Sequence, residues 1–291
     1  MDGIYLLTTS HLEENLWFKD DKDFKVGMNH VAIQAAESPS VYVLAFILMS
    51  NHVHFVIRGK GDEVRIFIER FKRRYSLYYR WKYGVKEFLR RNGLDIQAIP
   101  YENESVERAI AYVQMNCVAA NICLHPSLYP WGTGNCFFNV SPSATAKPVS
   151  DVSERHLFKM MHSKCSKVPG TWEIGENGFI LPGSYVATKE VEQIFRSPQR
   201  MDYFLKSSSK ARKRLNATDN ATPSFRDQTI LGAIPDLCRS LFQKRNFNEL
   251  DKKEQIEFAR QIRFRFSADP NQIARVCNLS YSDAASLLDS I

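Results

Sequence analysis

The segment that most limits how this chain can fold is Val41 to Ile57. Val41 to Leu48 is an unbroken apolar run, Ser50-Asn51 is a turn, and Val53 to Ile57 returns as a second apolar strand. An apolar run of this length bounded by a turn fits a strand buried on both faces. A hairpin of that kind needs a sheet around it and helices over it.

The rest of the first half supplies both. Ile4 to Thr9 reads as a strand, and Phe24 to Ala36 as a helix. Asp62 to Gly84 is a long amphipathic helix with Val64, Phe67, Ile68, Phe71, Tyr75 and Tyr78 at helical spacing. Ile96 to Ile99 suits a further strand. Val106 to Ala120 reads as a helix, with Ser105 as its expected N-cap. This order predicts an α+β fold, an antiparallel sheet covered by helices.

Asn139 to Ser153 is rich in Ser, Pro and Ala and reads as a connection. The expected organisation is a first domain over 1–140, a linker over 141–155 and a mainly helical region over 156–291. In that last region Leu157 to Met161, Lys189 to Phe195 and Gln199 to Leu205 look helical. Gly175 to Tyr185 looks extended, and Ser207 to Thr222 reads as a polar loop. From Phe225 on the chain reads as helices.

On a strand, side chains two apart share a face. His52 and His54 therefore project together, with Val53 and Phe55 opposite. Two imidazoles at that spacing can hold one divalent ion. On a helix, residues four apart share a face, so Tyr112 and Asn116 look the same way. A tyrosine offers a nucleophilic oxygen whose phenolate is also a good leaving group from a phosphodiester. Asn116 offers a neutral oxygen ligand. Taken alone, two partly exposed histidines and a core tyrosine explain these residues as well.

Charge is concentrated rather than spread. The chain carries +7 at a pI of about 9.0, and Arg58 to Arg91 contains twelve Lys or Arg against four Asp or Glu. Such a stretch suits a polyanion or a solvated helix face. The cations expected at a phosphate backbone are Arg58, Arg65, Arg70, Lys72, Arg73, Arg74, Arg80 and Lys82, with Tyr75, Tyr79 and Trp81 able to stack on bases. Lys206, Lys210, Arg212, Lys213 and Arg214 form a second basic group. Six cysteines lie scattered with no C-x-x-C pair, which argues against a zinc knuckle or a redox motif. No Gly-rich phosphate loop calls for a nucleotide cofactor. No signal peptide or membrane-spanning stretch is evident, so a cytoplasmic protein is expected.

At these residues the chain resembles the HUH tyrosine transposases, of the REP-associated type. Leu48-Met49-Ser50-Asn51-His52-Val53-His54 is similar to that family's MPNHVH motif. Tyr112-Val113-Gln114-Met115-Asn116-Cys117-Val118 is similar to its YIHLNPV segment. His125-Pro126-Ser127-Leu128-Tyr129-Pro130-Trp131 resembles its HPEDYPW run, and Trp17-Phe18-Lys19-Asp20 an early block. The resemblance covers about residues 1–135. It implies a ferredoxin-like fold in which Tyr112 attacks a phosphodiester, becomes joined to the 5′ phosphate and leaves a free 3′-OH. It implies Mg²⁺ or Mn²⁺ held by His52, His54 and Asn116. It also implies single-stranded or hairpin DNA as partner, a nucleoid-associated location, and a monomer or homodimer. The chain departs from the pattern at Ser50 and Cys117, where the family has proline, and at Asn121, where glycine is common. A DNA-binding descendant without catalysis, acting as a regulator, is the alternative these departures keep open. Near the C-terminus, Asn271 to Ser280 resembles the first half of a helix-turn-helix. The helix Asp283 to Asp289 that follows carries two acids and no base, unlike a DNA reader. A packing hairpin is the competing expectation.

Overall fold

The computed structural model describes residues 2–9, 16–89, 93–138, 145–208, 227–266 and 268–289. The basic residues Lys210, Arg212, Lys213 and Arg214 lie outside them, as does most of the expected loop over 207–222.

Four strands form the main sheet: β1 (Gly3–Thr9), β2 (Tyr42–Met49), β3 (His52–Gly59) and β4 (Leu94–Ile99). Between them run α1 (Asp21–Glu37) and α2 (Gly61–Tyr83), and α3 (Ser105–Gln114) follows. The spatial order is β2-β3-β1-β4 and every pairing is antiparallel. A β-α-β-β-α-β chain with that order is the ferredoxin-like arrangement. The predicted α+β class therefore holds.

Strand alternation assigns the two faces. Phe55 points to α2, where its ring meets Phe67 at 6.0 Å and Phe71 at 5.7 Å. His54, one residue away, points to the opposite face, which α3 covers. The apolar stripe of α2 is buried as its spacing predicts. Tyr75 and Tyr79 belong to it: both are buried, and their hydroxyls donate to the carbonyls of Trp17 (2.5 Å) and Leu16 (3.1 Å). They are core residues and cannot stack on bases. Only Trp81, 67% exposed, keeps an open ring.

The free edge of β2 is covered from further along the chain. Leu48 N–H donates to Trp131 O, Thr133 N–H donates to Phe46 O, and Gly132 lies opposite Ile47. A Cβ on Gly132 would sit 2.6 Å from Phe46 O, so only glycine allows this approach. Trp131 stacks on Phe24 at 5.0 Å, which ties the segment to α1.

Three expectations change. Ser105 opens α3 but does not cap it. Glu104, left-handed at φ 60°, holds the cap position, and Ser105 Oγ donates to Glu102 O. The helix predicted as one piece is two, α3 and α4 (Asn116–Ala119), with a break at Met115. Asn116 causes it locally: its Nδ2 donates to the carbonyls of Tyr112 (2.9 Å) and Val113 (3.1 Å), competing with backbone amides. The stretch Gly175 to Tyr185 is a string of turns, one bridge and a short 3-10 segment, not a strand.

Beyond the sheet, β5 (Lys147–Pro148) and β6 (Glu173–Ile174) form a small ladder, α5 (Glu154–Met161) packs on α1, and α6 (Thr188–Phe195) and α7 (Pro198–Ser207) pack on α3. Phe179, Val186, Val191, Phe195, Phe204 and Leu205 share the core of the sheet. Residues 141–144 of the expected linker lie outside the described residues. A separate core comprises α8 (Asp227–Phe242), α9 (Lys252–Phe266), α10 (Pro270–Cys277) and α11 (Tyr281–Asp289). The helix-turn-helix-like pair is α10 and α11, and Ile273, Ala274, Ala284, Leu287 and Leu288 bury it in this bundle. Buried Asp227 holds the bundle's start by accepting from Gln272 Nε2 at 2.8 Å and Arg275 Nε at 3.0 Å. Among the described residues, no helix is long and apolar enough to cross a membrane.

Candidate active site

β3 and α3 bring His52, His54 and Tyr112 together. The two imidazoles lie with ring centroids 4.8 Å apart, and the Tyr112 ring is 5.8 Å from His54, edge-on. His54 is buried, whereas His52 and Tyr112 are partly exposed. The pair therefore sits at the rim of the sheet with one side open.

Each histidine is fixed through Nδ1. His52 Nδ1 lies 2.8 Å from Asn51 Oδ1, and His54 Nδ1 lies 2.9 Å from Thr8 Oγ1. A carboxamide oxygen accepts, so this contact suits the His52 tautomer with its proton on Nδ1 and its lone pair on Nε2. Thr8 can serve the same tautomer at His54. Second partners of this kind set the ring orientation that a metal ligand needs. Thr8 faces His54 because the register of β1 on β3 places them opposite one another. Sequence reading did not identify Thr8, a cross-strand partner that depends on register, or Asn51, whose contact with His52 depends on the turn.

Whether these residues suit a divalent ion can be judged from the donors. Two same-face imidazoles with engaged Nδ1 atoms fit one. Among the described residues, no group of three or more His, Cys, Asp or Glu gathers anywhere. A third protein donor would then be a neutral oxygen, and Asn116, one turn beyond Tyr112, is the amide expected from the sequence. Because its Nδ2 is committed to two carbonyls, Oδ1 is the atom it has to offer.

Burial raises the Tyr112 phenol above its ordinary pKa. Desolvation opposes the phenolate, so a nearby positive charge would be needed to make this oxygen a nucleophile at neutral pH. On α2, Tyr78 and Tyr83 donate to the carboxylate of Asp23, and burial is the chief cause of their raised pKa. Asp23 is itself buried and also accepts from Lys82 Nζ at 2.7 Å.

The eight cations read from the sequence separate into two sets. Arg58 meets Glu190 through Nε (2.8 Å) and Nη2 (3.1 Å) and lies over Tyr42. That pairing raises its pKa. Arg74 donates to Glu37 and Ser163, and Lys82 to Asp20 and Asp23. These three tie the fold together. Arg65, Arg70, Lys72, Arg73 and Arg80 lie on the outer side of α2, and all but Arg70 line one groove. Lys206 pairs with Asp202 on α7.

The fold and site together define a ferredoxin-like α+β protein with a His-x-His strand facing a helical tyrosine. No family model and no curated protein matches the chain. Among solved structures it is similar to one described as "Structure of the REP associates tyrosine transposase bound to a REP hairpin". The identity is 14% and the TM-score 0.33, with 46% of this chain set against 78% of that one. The topology given above stands on strand order and register, independent of that likeness.

Proposed function

We propose that this protein nicks and rejoins single-stranded DNA beside hairpins, as a metal-dependent endonuclease of the HUH tyrosine type. The observation that carries the reading is the edge-on approach of Tyr112 to the His52–His54 pair, 5.8 Å from His54.

Tyr112 Oη attacks a backbone phosphorus and forms the P–O bond of a 5′-phosphotyrosine. The bond to the 3′ oxygen breaks, and that oxygen leaves as a 3′-OH. The phenol proton passes to solvent or to a base. A 3′-OH attacking the same phosphorus reverses these changes and rejoins the strand, with the phenolate as leaving group. His52, His54 and Asn116 would hold Mg²⁺ or Mn²⁺. A bound divalent ion supplies electrostatic stabilisation of the charge developing on the phosphate. Thr8 and Asn51 hold the two imidazoles in orientation through Nδ1. The half-buried setting of Tyr112 limits water's access to the phosphotyrosine.

The test is covalent trapping. Protein, labelled single-stranded hairpin DNA and Mn²⁺ are combined and run on a denaturing gel. A slow band that needs metal and is lost in Tyr112→Phe and His54→Ala is expected. Cleavage that survives Tyr112→Phe would assign the attack to water. Binding without any adduct, across several hairpins and both metals, would make the protein a DNA-binding regulator.

A further inference from the structure

A second feature lies on the other face of the sheet. The outer side of α2 and the segment after it enclose a cavity of about 850 Å³. Arg65, Lys72, Arg73 and Arg80 line it from α2, and Lys86 lines it from the segment that follows. Glu69 and Glu87 are its two carboxylates, which leaves a net charge of about +3 on the walls. Among the described residues, Arg65, Arg73, Arg80 and Lys86 form no ion pair, in contrast to Arg58, Arg74 and Lys82. Phe88, stacked on Tyr79 at 3.6 Å, contributes a fixed apolar wall. A wall of unpaired guanidinium groups suits phosphate oxygens, which accept from such forks.

The groove is not remote from His54. Leu94, at its end, pairs with Thr9. The next residue of β1, Thr8, lies between Asp95 on β4 and His54 on β3. From the groove's end to the imidazole pair is therefore two inter-strand spacings, about 10 Å, across the edge strand β4.

We infer that this groove holds the phosphate backbone of a polynucleotide. It anchors the part of a nucleic acid that is not being cut, while an adjoining stretch passes over β4 to the face that bears Tyr112. The identity of the polyanion as DNA rests on the function proposed above; the groove's role is read out by binding alone.

The experiment uses the full chain carrying Tyr112→Phe, without metal, and a labelled single-stranded oligonucleotide of mixed sequence followed by anisotropy across a salt series. The triple variant Arg65→Gln, Arg73→Gln, Arg80→Gln is compared with Lys206→Gln, Arg239→Gln, Arg260→Gln, which makes the same change of charge elsewhere. The groove variant should bind about tenfold or more weakly, and its slope of log K on log salt should fall by roughly 2, three phosphate contacts at about 0.7 each. The control variant should keep both values. Equal losses in the two variants, or an unchanged groove variant, overturn the inference. A groove effect in a protein whose wild type forms no adduct would leave this inference standing and remove the phosphotyrosine reading. An adduct with no groove effect would do the reverse.

Discussion

Thr8 shows how much of the site depends on residues that do no chemistry themselves. Its hydroxyl meets His54 Nδ1 at 2.9 Å and fixes the orientation of the ring. Thr8→Val keeps the shape and removes the hydrogen bond. Mn²⁺ affinity, measured by calorimetric titration without DNA, should then fall about tenfold or more, the usual effect of losing an outer partner of a ligating histidine. Unchanged Mn²⁺ binding would mean that His54 is not a ligand or that Thr8 does not orient it. Asn51 does the corresponding work for His52 through a short sequence step, so its substitution would disturb the turn as well. Tyr112 poses the opposite requirement. Its surroundings raise the phenol pKa, so the helix positions the oxygen while activation has to come from charge.

At the level of elements, α1 and α5 are joined by a buried histidine. His30 Nε2 lies 2.9 Å from Met161 O, and burial, aided by the Arg74 charge, lowers its pKa to about 3. Folded His30 therefore stays neutral where the unfolded residue, near 6.5, gains a proton. Between those values the unfolded state binds more protons, so stability is lost as pH falls, at up to about 1.4 kcal/mol per unit. His30→Gln keeps a donor for Met161 O without a titrating group. Urea midpoints at pH 7 and pH 5 should draw together in that variant; an acid sensitivity equal to wild type would show that His30 does not titrate with unfolding. The elements themselves were largely legible. The apolar hairpin, the α2 stripe and the His-x-His alternation are local patterns, and the fold keeps all three. What could not be read depends on distant chain. Arg58, Arg74 and Lys82 look like their neighbours in sequence, but Glu190, Glu37 and Asp23 engage them in ion pairs from distant parts of the chain. Tyr75 and Tyr79 stand beside charges in the sequence, although helical spacing puts them on the buried stripe. The Ser, Pro and Ala composition before residue 155 marks a loop, and loops need not separate cores. The approach of Tyr112 to His54 spans two elements and was suggested only by motif resemblance.

Among the described residues, the main hydrophobic core closes near Leu205 with a satellite cluster around Ile33, Leu157, Met161 and Ile180 beside it, and a second core of separate membership is built from Ile230 to Leu288. Phe258 is fully buried in the second. Phe258→Ala should destabilise that bundle by about 3–5 kcal/mol and leave the sheet body intact. In calorimetry one transition should move down while the other stays. A single transition that shifts as a unit would show that the cores unfold together.

One turn gathers distant parts of this chain. The Ser50 carbonyl accepts the amides of Trp17 and Phe18, while Gln228 Nε2 reaches Phe18 O at 2.7 Å and Ser50 Oγ at 3.4 Å. Gln228 is made 178 residues after Ser50. At roughly 5–20 residues per second of synthesis, that interval is about 10–35 seconds. The turn that precedes His52 is thus made well before its last partner, and only the finished bundle can supply that contact.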